Sequence, residues 1–229
     1  MAHSRHRRLT KEIQFKAETA PLMPPDLMHS AVQESAIMGG GREVGLPTEV
    51  ISSHVLPCGP LTRSTPPIND TNPELNEWLE TGPTILIVLG QLALWSEARA
   101  AELAKDLRIL LEHGVSVGGR MRQRQVLWKL RRDGSYSLGQ GSPVHSIIGK
   151  EVDCDQVRIT EWISPEPIDI LEHPNVICYV NHGGAGAFND AVCSGVSQIP
   201  IPLRHDTFDF ARRVEYLGIG RVGAQKSKD

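Results

Sequence analysis

From Thr84 onward the chain alternates short apolar runs with helical stretches, and few folds accept that pattern. Thr84 to Leu89 (TILIVL) is continuous and rich in β-branched residues, which suits a parallel strand buried on both faces; Gly90 ends it. Residues 96–113 read as a helix with Ser96 as N-cap. Ala100, Leu103, Leu107, Leu110 and Leu111 recur at three- and four-residue steps, and His113 and Gly114 close the helix. Val115 to Val117, Val157 to Ile163, Val176 to Val180 and Gln198 to Leu203 are further strand candidates, and Ile168 to Leu171, Gly186 to Ser194 and Asp209 to Leu217 supply further helices. Such alternation predicts a parallel sheet covered on both sides. Right-handed crossovers make it an α/β, doubly wound, Rossmann-like domain.

Upstream the pattern is absent. Residues 1–45 look irregular, broken at Leu22 to Asp26 (LMPPD) and Gly39 to Gly41. Residues 46–82 look like a linker, since Leu56 to Pro73 is proline-rich and polar. A short helix closes that segment over 73–81, with Asn72 as N-cap and Pro73 at the first helical position. Residues 83–229 then form the α/β domain. Within it, residues 120–132 (RMRQRQVLWKLRR) are strongly basic. They read as a helix with a solvated charged face, or as a patch meeting anionic phosphate.

Composition excludes several roles. A net charge of −3 over 229 residues offers no basic surface for nucleic acid. The basic N-terminus, MAHSRHRRLTKEIQFK, has no apolar run behind it, unlike a secretory signal, and no stretch approaches the ~18 apolar residues that span a bilayer. A cytoplasmic location without a membrane span is expected. Cys58, Cys154, Cys178 and Cys193 form no C-x-x-C pair and read as free buried thiols; no metal site is expected.

The chemistry gathers between His173 and Arg213. Asn181-His182-Gly183-Gly184-Ala185-Gly186-Ala187 follows a strand and opens a helix. Glycines let a phosphate approach the backbone, the helix N-terminus adds about half a positive charge, and His182 can donate to the same group. A plain strand-to-helix turn with a satisfied histidine gives the same pattern. A dinucleotide site is the poorer alternative, because Asn189 stands where a third small residue is needed. Asp190, one turn into the helix, can face the pocket and accept ribose hydroxyls, or lie on an exposed face. Asp206 is an N-cap candidate at a strand's carboxyl end, where ligands gather in open α/β sheets. Trp162 ends strand 157–163 and can stack on a base or fill core.

The ordered set Trp162, His173-Pro174, Asn181-His182-Gly183-Gly184, Asp190, Gly195-Val196, Pro200-x-Pro202 and Asp206 resembles the donor-binding signature of family 1, UDP-dependent glycosyltransferases of the GT-B fold, in the fungal branch related to sterol and secondary-metabolite glucosyltransferases. Cys58-Gly59-Pro60, Trp78-Leu79 and Pro83 to Gly90 extend the resemblance, which runs from about residue 46 to 223. It implies that the chain is the C-terminal half of a GT-B fold, with residues 83–229 as a UDP-sugar-binding domain lacking the family's closing helices. Trp162 would stack on uracil. His182 and the backbone of Gly183, Gly184, Ala185, Gly186 and Ala187 would hold the diphosphate. Asp190, in place of a glutamate, would bind ribose, and Asp206, with Thr207 in place of a common glutamine, would bind the sugar. Plant members carry Trp-Asn-Ser where Ala185-Gly186-Ala187 stands.

The reaction implied is inverting transfer of a hexosyl group from a UDP-sugar to a small-molecule hydroxyl, without metal or cofactor. The family's catalytic histidine lies in an N-terminal acceptor domain. His3, His6 and His29 do not follow an apolar strand, so no catalytic residue is assigned. The alternative is a non-catalytic donor-binding subunit, or a truncated inactive paralogue, that needs a partner chain bearing the acceptor domain.

Overall fold

The computed structural model describes residues 66–91, 93–117 and 119–223, together with two upstream strands, β1 (Ala36–Met38) and β2 (Val55–Pro57), which pair in parallel. The rest of the 1–45 segment, the Cys58-Gly59-Pro60 motif and the chain end after 223 lie outside the described residues.

Helix α1 (Ile68–Thr71) leads into α2 (Pro73–Glu80). The Asn72 side chain accepts a hydrogen bond from the Leu75 amide at 3.1 Å, and Pro73 occupies the first turn, as the sequence predicts. Leu75, Trp78 and Leu79 are buried with Leu86, Tyr179 and Leu171. The later part of the linker-like segment therefore packs onto the sheet.

Chain order then runs β3 (Thr84–Val88), α3 (Glu97–Leu111), β4 (Val115–Val117), β5 (Arg120–Arg122), β6 (Gln125–Lys129), α4 (Pro143–Asp153), β7 (Val157–Thr160), α5 (Pro167–Leu171), β8 (Val176–Asn181), α6 (Ala185–Ser194), β9 (Ser197–Pro200) and α7 (His205–Tyr216). Five strands form one parallel sheet in the order β7-β6-β3-β8-β9. Successive residues of β3 feed opposite faces. Leu86 and Val88 join the layer under α2, α5 and α6, while Ile85 and Ile87 join Ala100, Ala104, Leu107, Val144 and Ile148 under α3 and α4. This is the doubly wound, Rossmann-like architecture expected. Chain winding reverses at β3, between β6 and β8, and a crevice opens at such a switch point beyond the strands' carboxyl ends.

Several expectations change. The basic stretch is not a helix: it is β5 and β6, and β6 is buried along its whole length with Trp128 fully enclosed. Several of its arginines bind backbone carbonyls. Arg122 donates to Thr81 O at 2.7 Å, Arg124 to Leu110 O at 3.1 Å and to His113 O, and Arg131 to Gln91 O. Charge here closes helix ends and loops, which composition alone does not separate from a solvated face. β4 pairs antiparallel with β5, outside the main sheet. β7 stops at Thr160, so Trp162 lies beyond the strand. α7 begins at His205, which puts Asp206 in its first turn and makes Arg204 the N-cap. Ser96 stands at the N-cap of α3 without a side-chain capping bond. Cys154 and Cys193 are exposed and Cys178 is partly buried, so the free thiols are not uniformly core residues.

Candidate functional site

Two turns meet at the switch point. β3 ends at Val88 and leads to Gly90, with φ +83°, and β8 ends at Asn181, followed by His182, Gly183 and Gly184 before α6. The fully buried Asn181 shapes the second turn: its Oδ1 accepts the Gly183 amide at 2.8 Å and its Nδ2 donates to Gln198 Oε1 at 3.3 Å. Gly183 has φ +77°, and a Cβ there would stand 2.7 Å from Thr207 O, so the position needs glycine on both counts. The His182 ring lies between two bare glycine faces. A Cβ on Gly184 would come within 2.3 Å of its Nε2, and one on Gly90 within 3.0 Å of its Nδ1. Nδ1 is buried and has no hydrogen-bond partner among the described residues. Burial pushes the His182 pKa below its ordinary value, opposed by the charge of Asp206, which favours the neutral ring at pH 7.

A crevice of about 840 Å³ opens above this point. His182, Gly184, Ala185, Gly186, Ala187, Asp190, Asp206, Thr207 and Trp162 all line it; Gly183 does not. The Gly183 amide is already taken by Asn181, so the anion-facing amides are those that follow it. α6 has no side-chain cap, and its first backbone bond runs from Phe188 N to Gly184 O at 2.9 Å. The amides of Ala185, Gly186 and Ala187 precede that bond and are the natural donors to an anion.

The remaining predicted residues differ in what they offer. The Asp190 carboxyl is pushed up to about 6, chiefly by burial and then by Glu166 and Asp169. Asp206 is exposed at the rim. Thr207 is buried, and its hydroxyl is committed: it donates to Arg204 O at 2.6 Å and accepts from the amides of Leu203 and Arg204, each at 3.0 Å. Thr207 therefore fixes the start of α7 and offers the crevice no free hydroxyl. Trp162 is 65% exposed, and Lys129 Nζ lies 4.2 Å from its ring centroid.

Sequence reasoning passed over Lys129, which also lines the crevice. Its ammonium is held below the ordinary lysine range by burial and by Arg131, with Glu166 opposing. One signal was available: a lysine closing the apolar run Val126-Leu127-Trp128, at the carboxyl end of a strand. The assembled groups can hold an anion at the α6 N-terminus, a flat ring against Trp162, and hydroxyls at Asp190 and Asp206.

Residues 119–225 match the family described as UDP-glucoronosyl and UDP-glucosyl transferase. The glycosyltransferase sdnJ of Sordaria araneosa is 38% identical over 180 residues, covering 79% of this chain and 34% of the relative. The chain carries the C-terminal domain of a UDP-glycosyltransferase. It spans about a third of the length of such curated relatives; a UDP-glycosyltransferase of Talaromyces amestolkiae, 27% identical over 178 residues, is overlapped over 72% of this chain and 31% of its own length. The fold of the UDP-glycosyltransferase domain is shared with solved structures. A glycotransferase of kitacinnamycin aligns at TM-score 0.57 and 17% identity, covering 99% of this chain and 51% of that one. LpCGTa, solved in complex with UDP, aligns at TM-score 0.52 and 22% identity over 74% and 32%. Among the described residues of the domain, no helix is long and apolar enough to cross a membrane.

Proposed function

We propose that the crevice binds a UDP-sugar and that the chain supplies the donor half of an inverting glycosyl transfer to a hydroxyl of a small-molecule acceptor. The observation that carries this reading is the convergence, in one crevice, of the uncapped α6 N-terminus, the slotted His182 ring and the exposed Trp162 indole. Uracil stacks on Trp162, Asp190 accepts the ribose hydroxyls, and the diphosphate lies against the amides of Ala185 to Ala187. The sugar reaches toward Asp206.

In the transfer, the acceptor oxygen forms a bond to the anomeric carbon while the bond from that carbon to the β-phosphate oxygen breaks. The electron pair stays on that oxygen, and UDP departs. Charge building there is met by the fixed amide dipoles and by an imidazole N–H, groups whose orientation the fold has already settled. A base on the acceptor side takes the hydroxyl proton. That side lies beyond the described residues and belongs to an acceptor domain or a partner chain.

Calorimetric titration with UDP tests the reading directly. A saturable heat at micromolar to millimolar UDP is expected, reduced when Trp162 is replaced by alanine. Folded protein that shows no heat with UDP overturns it.

A further inference from the structure

Among the described residues, Lys129 is the only buried lysine. It closes β6, a strand buried throughout, and its side chain makes neither ion pair nor hydrogen bond among the described residues. Its surroundings explain how a charge survives there. The ammonium stands over the Trp162 ring at 4.2 Å from the centroid, within the range of a cation–π contact, and opens otherwise to the crevice. Trp162 has the complementary deficit. It lies past the end of β7, is 65% exposed, and its ring makes no hydrogen bond among the described residues. A large flat side chain so placed would sample several orientations, and a base stacking on it would have to order it first. The lysine, anchored by its buried stem in a strand paired on both sides, removes that freedom.

We propose that Lys129 is a positioning residue for the nucleotide base: its ammonium covers one face of the Trp162 indole, fixes the ring, and leaves the opposite face as the stacking platform. The proposal rests on the reading that the crevice takes a uracil nucleotide. It makes β6, rather than the loop that carries Trp162, the element that sets where the base lies.

The test titrates UDP, uridine and inorganic pyrophosphate into the wild type, Lys129→Met and Lys129→Arg, by calorimetry and by quenching of tryptophan fluorescence. The Met variant should lose about tenfold in affinity for UDP and for uridine alike, with shallower quenching, while the Arg variant stays within about threefold. Pyrophosphate binding should not change. The Met variant should melt no lower than the wild type, because it keeps the stem and removes a buried charge. Should it fail to fold, Lys129→Gln serves the same comparison. A neutral variant that binds UDP as tightly as the wild type, or more tightly, overturns the proposal, since the ammonium would then be irrelevant or would occupy the face the base needs. Weakened pyrophosphate binding with uridine unaffected also overturns it and makes Lys129 a phosphate ligand. A wild type that binds no UDP removes the uracil-nucleotide reading and this proposal together; UDP binding that survives neutralisation of Lys129 removes this proposal alone.

Discussion

Where β6 begins, at the amino end of the sheet, the polar groups around Gln125 are matched; at the carboxyl end several are left waiting. Gln125, 5% exposed where β6 begins, places its Oε1 2.7 Å from the Thr81 hydroxyl and donates to Trp78 O at 2.9 Å and to Thr84 Oγ1 at 2.8 Å. The Trp78 indole donates to Asp155 O at 2.8 Å, Asn175 donates to Leu79 O at 2.9 Å, and Arg158 grips Asp155 with two bonds of 2.8 Å. Across the sheet, among the described residues, His182 Nδ1 has no partner, α6 has no side-chain cap at its N-terminus, and the ammonium of Lys129 rests on a ring. Matched groups hold one conformation, whereas unmatched ones hold conformation and keep their bonding capacity for something else. The first end locks α2 to the sheet, and the second keeps the groups that the proposed nucleotide would engage.

The sharpest way to break this contrast is to cut the amino-end network. Gln125→Ala removes three side-chain hydrogen bonds at once, to Trp78 O, the Thr84 hydroxyl and the Thr81 hydroxyl, and empties a buried site; it should cost about 3 kcal/mol of stability in a urea titration. UDP affinity, measured well below the melting temperature, should stay within about twofold of wild type, because the site lies at the opposite ends of the strands. A folded variant that loses UDP would show that the two ends are not separate.

A smaller effect, of the opposite kind, is expected at Gly184. Its backbone, at φ −74° and ψ 155°, accepts any residue, so Gly184→Ala strains nothing locally. The added methyl would stand 2.3 Å from His182 Nε2 and must push the ring out of its slot. UDP affinity should fall about thirtyfold, roughly 2 kcal/mol, while stability falls less than in Gln125→Ala. Equal losses in both quantities would mean that the slot is a packing feature and not a binding one.

The same contrast explains what the sequence disclosed. β3 and β8 were legible because central parallel strands, buried on both faces, leave uninterrupted apolar runs. The glycine turn was legible because its backbone demands glycine, and Asp190 because helical spacing returns it to the same side. β6 is just as central yet was hidden. Its ends are Gln125 and Lys129, and arginines crowd both flanks, so charge masked a five-residue core strand whose outer cations serve as carbonyl clamps. α4 carried a readable start, Ser142-Pro143, with the serine hydroxyl accepting from His145 N at 3.1 Å, but the helix is kinked at non-helical Ile148 and was not read. Thr207 lines the crevice, but which of its neighbours would claim the hydroxyl depended on the backbone path into α7. Trp162 and Lys129 lie on separate strands' ends, and no spacing in one dimension announces that pair.

The mildest test sets stability against binding within a single side chain. Burial and the nearby Glu166 and Asp169 push the Asp190 carboxyl up from 3.8 to about 6. The folded state therefore holds this proton more tightly than the unfolded chain does. The ionised form opposes folding fully above about pH 6, and the penalty fades to nothing below the unfolded value near pH 4. Asp190→Asn mimics the protonated form. Discounted for a side chain that is only half-buried, the shift leaves a gain on the order of 1 kcal/mol at pH 7.5, shrinking toward zero as pH falls to about 4. The same substitution exchanges a charged acceptor for a neutral one, so UDP affinity should drop about fivefold at pH 7.5. Melting curves at pH 7.5 and pH 4, run beside UDP titrations, read both quantities. A variant that gains stability and loses nucleotide shows a carboxylate kept for binding at the expense of the fold; one that loses stability at pH 7.5 places Asp190 with the matched groups of the other end.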